Sequence, residues 1–464
     1  LRTSRIHESL GDAFFDIVEP ASFPAHILRY RNQRWAARVG LDGLSDEAWV
    51  GHFGRFAPLP GSFERPLALR YHGHQFRHYN PDLGDGRGFL FAQLHDLEDG
   101  RLLDLGTKGS GTTPWSRTAD GRLTLKGGVR EVLATAMLEA LGVYTSKSFS
   151  LIETGEALVR GDEPSPTRSS VLVRLSHTHL RIGTFQRFAY LQDEASLRRL
   201  LDHAIRVAIP EAWRDNEAER ALAFLAEVTV RVARMGAQWM VAGFVHGVLN
   251  TDNINVTGES FDYGPWRFLP TYDPAFTAAY FDHSGLYAYG RQPDTLLWNL
   301  VRLAECLLPL APQAALQEVL KDFAPAFRRA LADGVVRRLG VLPRGQDEDA
   351  ALSEAFWAFL AASGVGFEQA FFDWHGGHAR RAKALTGPAG ASYTGAAFDM
   401  FAALLEPYAP AGPGHAYFER TSPCTMLFDE VEAIWAPIAA SDDWAAFEAK
   451  LAAIEEMRLA YAVG

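Results

Sequence analysis

Residues 216–244, NEAERALAFLAEVTVRVARMGAQWMVAGF, read as one long, mostly buried helix. A helix of that length divides whatever surrounds it. Before it, short apolar runs such as GFLFAQLHD, RLLDLGTKG, KSFSLIE, EALVR and SSVLVRLS alternate with turn residues and predict strands. The polar, proline-bearing GDEPSPTRSS (161–170) predicts a hairpin loop. After it, TLLWNLVRLAECLLPL, PQAALQEVLKDFAPAFRRAL, ALSEAFWAFLAAS, FDEVEAIWAPIAA and WAAFEAKLAAIEEM predict helices. At 464 residues the chain is too long for one compact core, and the expected class is α+β, strand-rich first and helical second.

Directly after the long helix comes HGVLNTDNINVTGESFDYG (246–264). His246-Gly247, an Asn five residues beyond position 248 and Asp262-Tyr263-Gly264 follow the layout of a kinase catalytic segment. Position 248, where that layout needs its catalytic Asp, is Val. Asn253 and Asp262 are the two hard-oxygen ligands that a nucleotide-bound Mg²⁺ needs. Asp252 is an extra carboxylate able to act as general base on an attacking hydroxyl. The run Asn250-Thr251-Asp252-Asn253 serves equally well as an Asx-rich turn.

Upstream, Lys108 follows a strand where a kinase-like fold holds phosphates with a Lys paired to a Glu on the next helix. That helix is predicted over about Lys126 to Leu141, with Gly142 as its stop. Glu131 lies about 200° round from Val129, opposite the apolar stripe, and faces either solvent or a cleft. Gly84, Gly86 and Gly88 in NPDLGDGRGFLF suit close phosphate approach or a plain hairpin, and Asp85 at the tip disfavours a kinase-style phosphate lid. Arg174 and Arg181 could converge on phosphate oxygens or simply be solvated. His177 and His179 between them make a poor zinc site, with no further ligand close by in sequence. His375 and His378 in DWHGGHARR are expected at the surface or a cleft rim.

Taken together, YHGHQF, NPDLGDGRG, KGSGTTPWSRTADGR, REVLATAMLEALGV, RLSHTHLRIGTF, HGVLNTDNINVTGESFDYGPWRFL and DHSGLYAYGRQPDTLLWNLVRLAECL resemble the selenoprotein O family, in order and collinear from about residue 10 to 310. The resemblance implies a protein kinase-like bilobal fold, with a strand-rich N-lobe, a helical C-lobe and extra C-terminal helices. Its boundaries would be an N-terminal extension packed on the lobes (1–60), an N-lobe (61–190), a C-lobe with the catalytic loop (191–320) and a helical C-terminal extension (321–464). It implies ATP bound flipped, Mg²⁺ or Mn²⁺, and transfer of AMP to Ser, Thr or Tyr hydroxyls of proteins, the chain itself being one candidate acceptor. Carried over, Lys108 and Glu131 form an ion pair, and Gly84, Gly86, Arg87, Lys108, Asp120 and Gly121 contact the nucleotide. Arg174 and Arg181 hold the inward phosphates, Asn253 and Asp262 bind metal with Asp262 also on the nucleotide side, and Asp252 is the base. The chain departs from the family at Arg77, where Gly is usual after GHQF, at KGGVREVL, and in a C-terminal third ending RLAYAVG without the family's Cys or selenocysteine.

Two other reactions of the same residues stand beside this one: a kinase-type phosphotransfer, and nucleotide binding without turnover. A net charge of −11 argues against wholesale nucleic-acid binding. No apolar run reaches the ~18–20 residues of a membrane helix, and LRTSRIHESLGDAFFDIVEP lacks a signal-peptide core. The start without Met is expected of a shortened N-terminus. Two distant cysteines, Cys306 and Cys424, predict buried free thiols rather than a disulfide, in a cytoplasmic setting.

Overall fold

The computed structural model describes residues 1–161 and 163–462. Asp162 of the predicted hairpin loop and the terminal Val463 and Gly464 lie outside the described residues.

The central feature is a nine-stranded antiparallel sheet. In chain order its strands are β1 (Thr3–Ser4), β2 (Phe15–Ile17), β3 (Ile27–Arg31) and β4 (Leu67–Leu69), with β5 (Gly73–Gln75) and β6 (His78–Asn80) forming a separate hairpin. There follow β7 (Leu90–His95), β8 (Leu102–Lys108), β9 (Leu123–Thr124), β10 (Lys147–Leu158) and β11 (Thr167–Ser176). The order across the sheet is β2-β4-β7-β8-β11-β10-β3, with β1 on β7 and β9 on β11. KSFSLIE and EALVR form one strand, β10, bent by a register shift between Glu153 and Ala157. Nothing alternates clearly in residues 1–60, yet they contribute three strands.

Both faces of the sheet are covered. On one, α1 (Gln33–Arg38) and α2 (Asp46–Phe53) bring Trp35, Trp49 and Phe53 against Leu105, Val171 and Val173. On the other lies α3 (Leu125–Ala140), started by the Thr124 side chain accepting from the Gly127 amide. Gly142, at φ +80°, follows its end, as the sequence predicts. Val129, Val132, Leu133 and Met137 of α3 pack with Leu151 and Leu172.

The helical half begins with α4 (Ile182–Tyr190) and α5 (Glu194–Ala208), then α6 (Glu217–Val241), the predicted long helix, capped by Asn216 accepting from the Glu219 amide. A two-stranded ribbon, β12 (Phe244–Val245) with β13 (Arg267–Phe268), closes the base of the 246–264 segment. Next come α7 (Gln292–Cys306), α8 (Gln313–Leu320) and α9 (Phe323–Arg338), so PQAALQEVLKDFAPAFRRAL is two helices rather than one. The chain continues through α10 (Gln346–Ser363), α11 (Phe367–Asp373), α12 (Arg381–Thr386), α13 (Ala396–Leu405), α14 (Phe428–Ser441) and α15 (Ala445–Ala462). α15 folds back on α3, and Tyr461 joins the same core as Val129. A second core, around Phe356, Phe371, Trp374 and Phe401, lies wholly within the helical half.

Both cysteines are free and buried. His375 is a correction: it is buried rather than at a surface or rim, stacked on Phe418 with centroids 3.7 Å apart and with Nδ1 3.0 Å from the Arg338 carbonyl. Ring stacking and that hydrogen bond replace the water a rim histidine would have. No described helix is long and apolar enough to cross a membrane.

Candidate active site

Strand register brings the first two cations together. Lys108 of β8 faces Leu172 of β11, and Arg174 faces Gly106. Side chains two apart share a face, so Lys108 and Arg174 project from the same side of the sheet, the side covered by α3. Glu131 reaches that side from α3, is 1% exposed and pairs with Lys108 Nζ. Of the two faces open to it in the sequence, it takes the buried one.

Asp262 completes the cluster. Its Oδ1 accepts from Lys108 Nζ at 3.0 Å and from Arg174 Nη1 at 2.9 Å. Lys108, then Arg174 and Arg87, hold its carboxyl well below the usual range against the opposing effect of burial. Asp262 sits at φ +64°, a left-handed conformation costly for a non-glycine residue and typical of functional positions. Glu131 Oε2 and Arg174 Nε are buried without hydrogen-bond partners among the described residues.

The other carboxylate is of opposite character. Asp252 lies in a single 3-10 turn, Thr251–Asn253, and its Oδ1 is buried with no hydrogen-bond partner among the described residues. Burial is the main cause that pushes its carboxyl up to about 7, and Arg181 opposes that shift. Backbone crowds it: a Cβ on Gly73 would lie 2.9 Å from Asp252 Oδ1, and one on Gly183 would lie 3.5 Å from its Cα. Asn253 turns Nδ2 to the Val248 carbonyl at 3.0 Å, which leaves its Oδ1 free. His246 Nε2 lies 2.9 Å from the Phe261 carbonyl, tying the two ends of the segment.

The turn is clamped from outside by residues to which sequence reading assigned no role. Thr251 accepts from the His74 amide at 2.7 Å and donates to Gln186 Oε1 at 2.5 Å; Gln186 Nε2 lies 2.7 Å from His74 Nδ1. Asn250 Oδ1 accepts from the Phe76 amide and the Tyr287 hydroxyl. Phe76 and Arg77 form the tip of the β5–β6 hairpin, both left-handed at φ +48° and +65°, where glycine is favoured. The sequence signals here were the motifs YHGHQF, RIGTF and DHSGLYAYGRQ, and the absence of Gly at 77.

The glycine loop packs tightly. A Cβ on Gly84 would lie 2.4 Å from the Trp115 ring, one on Gly86 2.8 Å from the Trp115 carbonyl, and one on Gly88 2.0 Å from the Thr107 carbonyl. Packing alone therefore requires these glycines. Asp85 is engaged, accepting from the Leu69 amide and lying 3.6 Å from Arg181. Arg181 stacks on Tyr71 at 4.0 Å. Arg87 is exposed and has no carboxylate within ion-pair distance among the described residues.

Asp120 and Gly121 are placed differently. Asp120 pairs with Arg160 at 2.8 Å and caps the Arg122 amide, with no hydrogen bond to the Lys108–Asp262 cluster among the described residues. Gly121, at φ +68°, closes the loop onto Gly111. His179 meets Asp104 and His177 meets Tyr144, and no group of three or more His, Cys, Asp or Glu suited to a metal occurs among the described residues.

A family model described as protein adenylyltransferase SelO matches residues 1–455. That span runs well past residue 310, where the sequence motifs thin out. The protein nucleotidyltransferase YdiU of Synechocystis is 52% identical over 338 residues, 72% of this chain and 70% of its own. That of Gloeobacter violaceus is 45% identical over 451 residues, 95% of this chain and 92% of its own. That of a Bradyrhizobium is 36% identical over 459 residues, covering 95% and 90%. Buried lysine–glutamate pair, Asp262 between two cations, and a matched length of nearly the whole chain lead to one assignment: this chain belongs to the SelO protein adenylyltransferase family.

Proposed function

We propose that the chain is an ATP-dependent adenylyltransferase that moves AMP to Ser, Thr or Tyr hydroxyls of proteins. The observation that carries this reading is the contrast between two aspartates. Asp262 is held ionised by Lys108 and Arg174, while Asp252 presents a buried, unpartnered oxygen in a turn whose kinase-type base position is Val248. The relatives' names support nucleotidyl transfer. A kinase-like bilobal division, with lobes over 61–190 and 191–320 flanked by 1–60 and 321–464, belongs to the same proposal.

In this reading Asp252 takes the acceptor's hydroxyl proton as the acceptor oxygen bonds to the α-phosphorus and the bond to pyrophosphate breaks. Lys108, Arg174 and Arg181 neutralise the charge that gathers on the leaving pyrophosphate, with ATP flipped so that its outer phosphates lie inward. Glu131 orients Lys108. Arg87, Gly84 and Gly86, with Asp120 and Gly121 of the following loop, form the nucleotide's outer contacts. The donor set fits a hard divalent cation: Asn253 Oδ1 and Asp262 Oδ2 are both left free by the hydrogen bonds that orient them. Mg²⁺ or Mn²⁺ held there would supply charge neutralisation to the phosphates.

The test is incubation of the full chain and a lysate with α-labelled and γ-labelled ATP plus Mg²⁺ or Mn²⁺. Label on protein from the α position, with AMP-sized mass shifts on Ser, Thr or Tyr, is the expected result. Transfer of the γ label alone overturns the reading in favour of phosphotransfer. Binding with no transfer of either label leaves a nucleotide-binding scaffold. A parallel arm with α-labelled UTP decides which nucleotide is preferred.

A further inference from the structure

A cavity of about 960 Å³ lies away from the cluster just described: none of Lys108, Glu131, Asp252, Asn253 or Asp262 lines it. Leu102, at the far end of β8 from Lys108, is in its wall. Six residues of strand separate the two, roughly 20 Å at ~3.3 Å per residue. The cavity's other walls come from Tyr144 and His177 of the sheet half and from α5 and α6 of the helical half.

Its charges do not cancel. Three carboxylates line it, and each is already engaged. Asp99 pairs with Arg101 at 2.8 Å, while Glu211 and Glu227 both pair with Arg231, the latter at 3.7 Å. Two further lining arginines, Arg206 and Arg234, are exposed and have no carboxylate partner among the described residues. Arg206 is braced by stacking on Trp213 at 4.8 Å, which orients a guanidinium without neutralising it. In a chain of net charge −11, an uncompensated pair of arginines in one cavity is a specific feature.

The remaining wall is built and partly apolar. Arg101 Nη1 donates to the Tyr144 hydroxyl at 3.0 Å, and that hydroxyl lies 2.6 Å from His177 Nδ1. Val207, Val230 and Met235 contribute apolar surface. The volume lies within the roughly 300–1,000 Å³ range of small-molecule pockets and leaves room for a ligand of nucleotide size. We infer that this cavity binds a phosphate-bearing small molecule with an apolar or aromatic body, of mononucleotide size, with Arg206 and Arg234 on the phosphate. The site is distinct from the cleft and does not depend on what reaction the cleft performs.

AMP is the probe, measured by equilibrium dialysis on the full chain carrying Lys108→Met to weaken the cleft. Binding is expected to persist there, and to weaken at least tenfold when Arg206→Glu and Arg234→Glu are added. Val230→Trp, which fills the cavity without touching its charges, should weaken it similarly. Arg65→Glu, an exposed arginine outside the cavity, should leave it unchanged. Thermal melting of each variant identifies any that fails to fold, and either of the two independent variants then decides. Absence of AMP binding to the Lys108→Met chain at millimolar AMP, or binding indifferent to both the charge reversals and Val230→Trp, overturns the inference.

Discussion

Two buried ion pairs in this molecule use nearly the same chemistry and do different things. In the helical half, Arg338 is fully buried, pairs with Glu368, and donates to the Tyr461 hydroxyl and the Val241 carbonyl, each at 3.0 Å. Its guanidinium lies over the Phe371 ring at 4.2 Å. Apart from the Arg338 Nε, the cation is spent on partners within the chain. In the cleft, Lys108 and Glu131 are as deeply buried, but Asp262 beside them keeps 30% of its side chain exposed. Glu131 Oε2, Arg174 Nε and Asp252 Oδ1 have no hydrogen-bond partners among the described residues. Burial of charge alone thus marks neither pair as functional; polar atoms left open beside an accessible carboxylate mark the cleft.

The largest expected effect is on chemistry. Asp252→Asn keeps shape and removes the proposed base, so AMP transfer should fall by about 10²–10⁴-fold. Its melting temperature should not fall, because a desolvated carboxylate is removed. Undiminished transfer would place the open carboxylate outside the reaction. Next is Arg338→Leu, which strands Glu368 in the core and should cost about 3–5 kcal/mol in denaturant unfolding. Adding Glu368→Leu should recover most of that loss, since nothing buried is then left unpaired. A neutral single variant would erase the distinction between the two pairs.

Gly73→Ala puts a methyl against Asp252 Oδ1 and should lower kcat about ten- to a hundredfold by displacing the carboxylate. Single-turnover AMP transfer at saturating ATP measures it. The smallest effect is acid sensitivity. Burial lowers His7, His177 and His375 to about 4 and His203 to about 3. Between their unfolded value near 6.5 and those folded values the unfolded chain binds more protons, so stability rises with pH and is lost as pH falls below about 6.5. From pH 6.5 to 5.5 each should cost about 1 kcal/mol. His375→Gln, beside Arg338, should flatten the unfolding free energy against pH by one such share, leaving the cleft untouched.

Much of the cleft was legible because its signals are local. α3 announces itself by an apolar stripe with Glu131 off it, and the 246–264 segment by fixed spacing of Asn253 and Asp262. Lys108 and Arg174 could be named as candidates but not placed, since only the register of β8 against β11 puts them on one face. Gly73, Gln186 and Tyr287 were given no role because each acts on the 250–253 turn from more than 30 positions away, through a backbone approach or a hydrogen bond. His375 was misplaced for a related reason: a polar residue followed by two glycines reads as surface until Phe418 is seen stacked on it.

The sequence by itself determined the α+β order, the long helix, the Val at position 248 and the carboxylate of Asp252 close after it. These rest on periodicity and spacing, which are properties of neighbours along the chain. Tertiary structure alone decided that Asp262 holds two cations on one oxygen, that Asp252 is left with a bare one among the described residues, and that Asp120 pairs with Arg160. It also decided that Arg206 and Arg234 share a cavity with no carboxylate to spare. Electrostatic character depends on distance and solvent access through space, and no spacing along a chain encodes either.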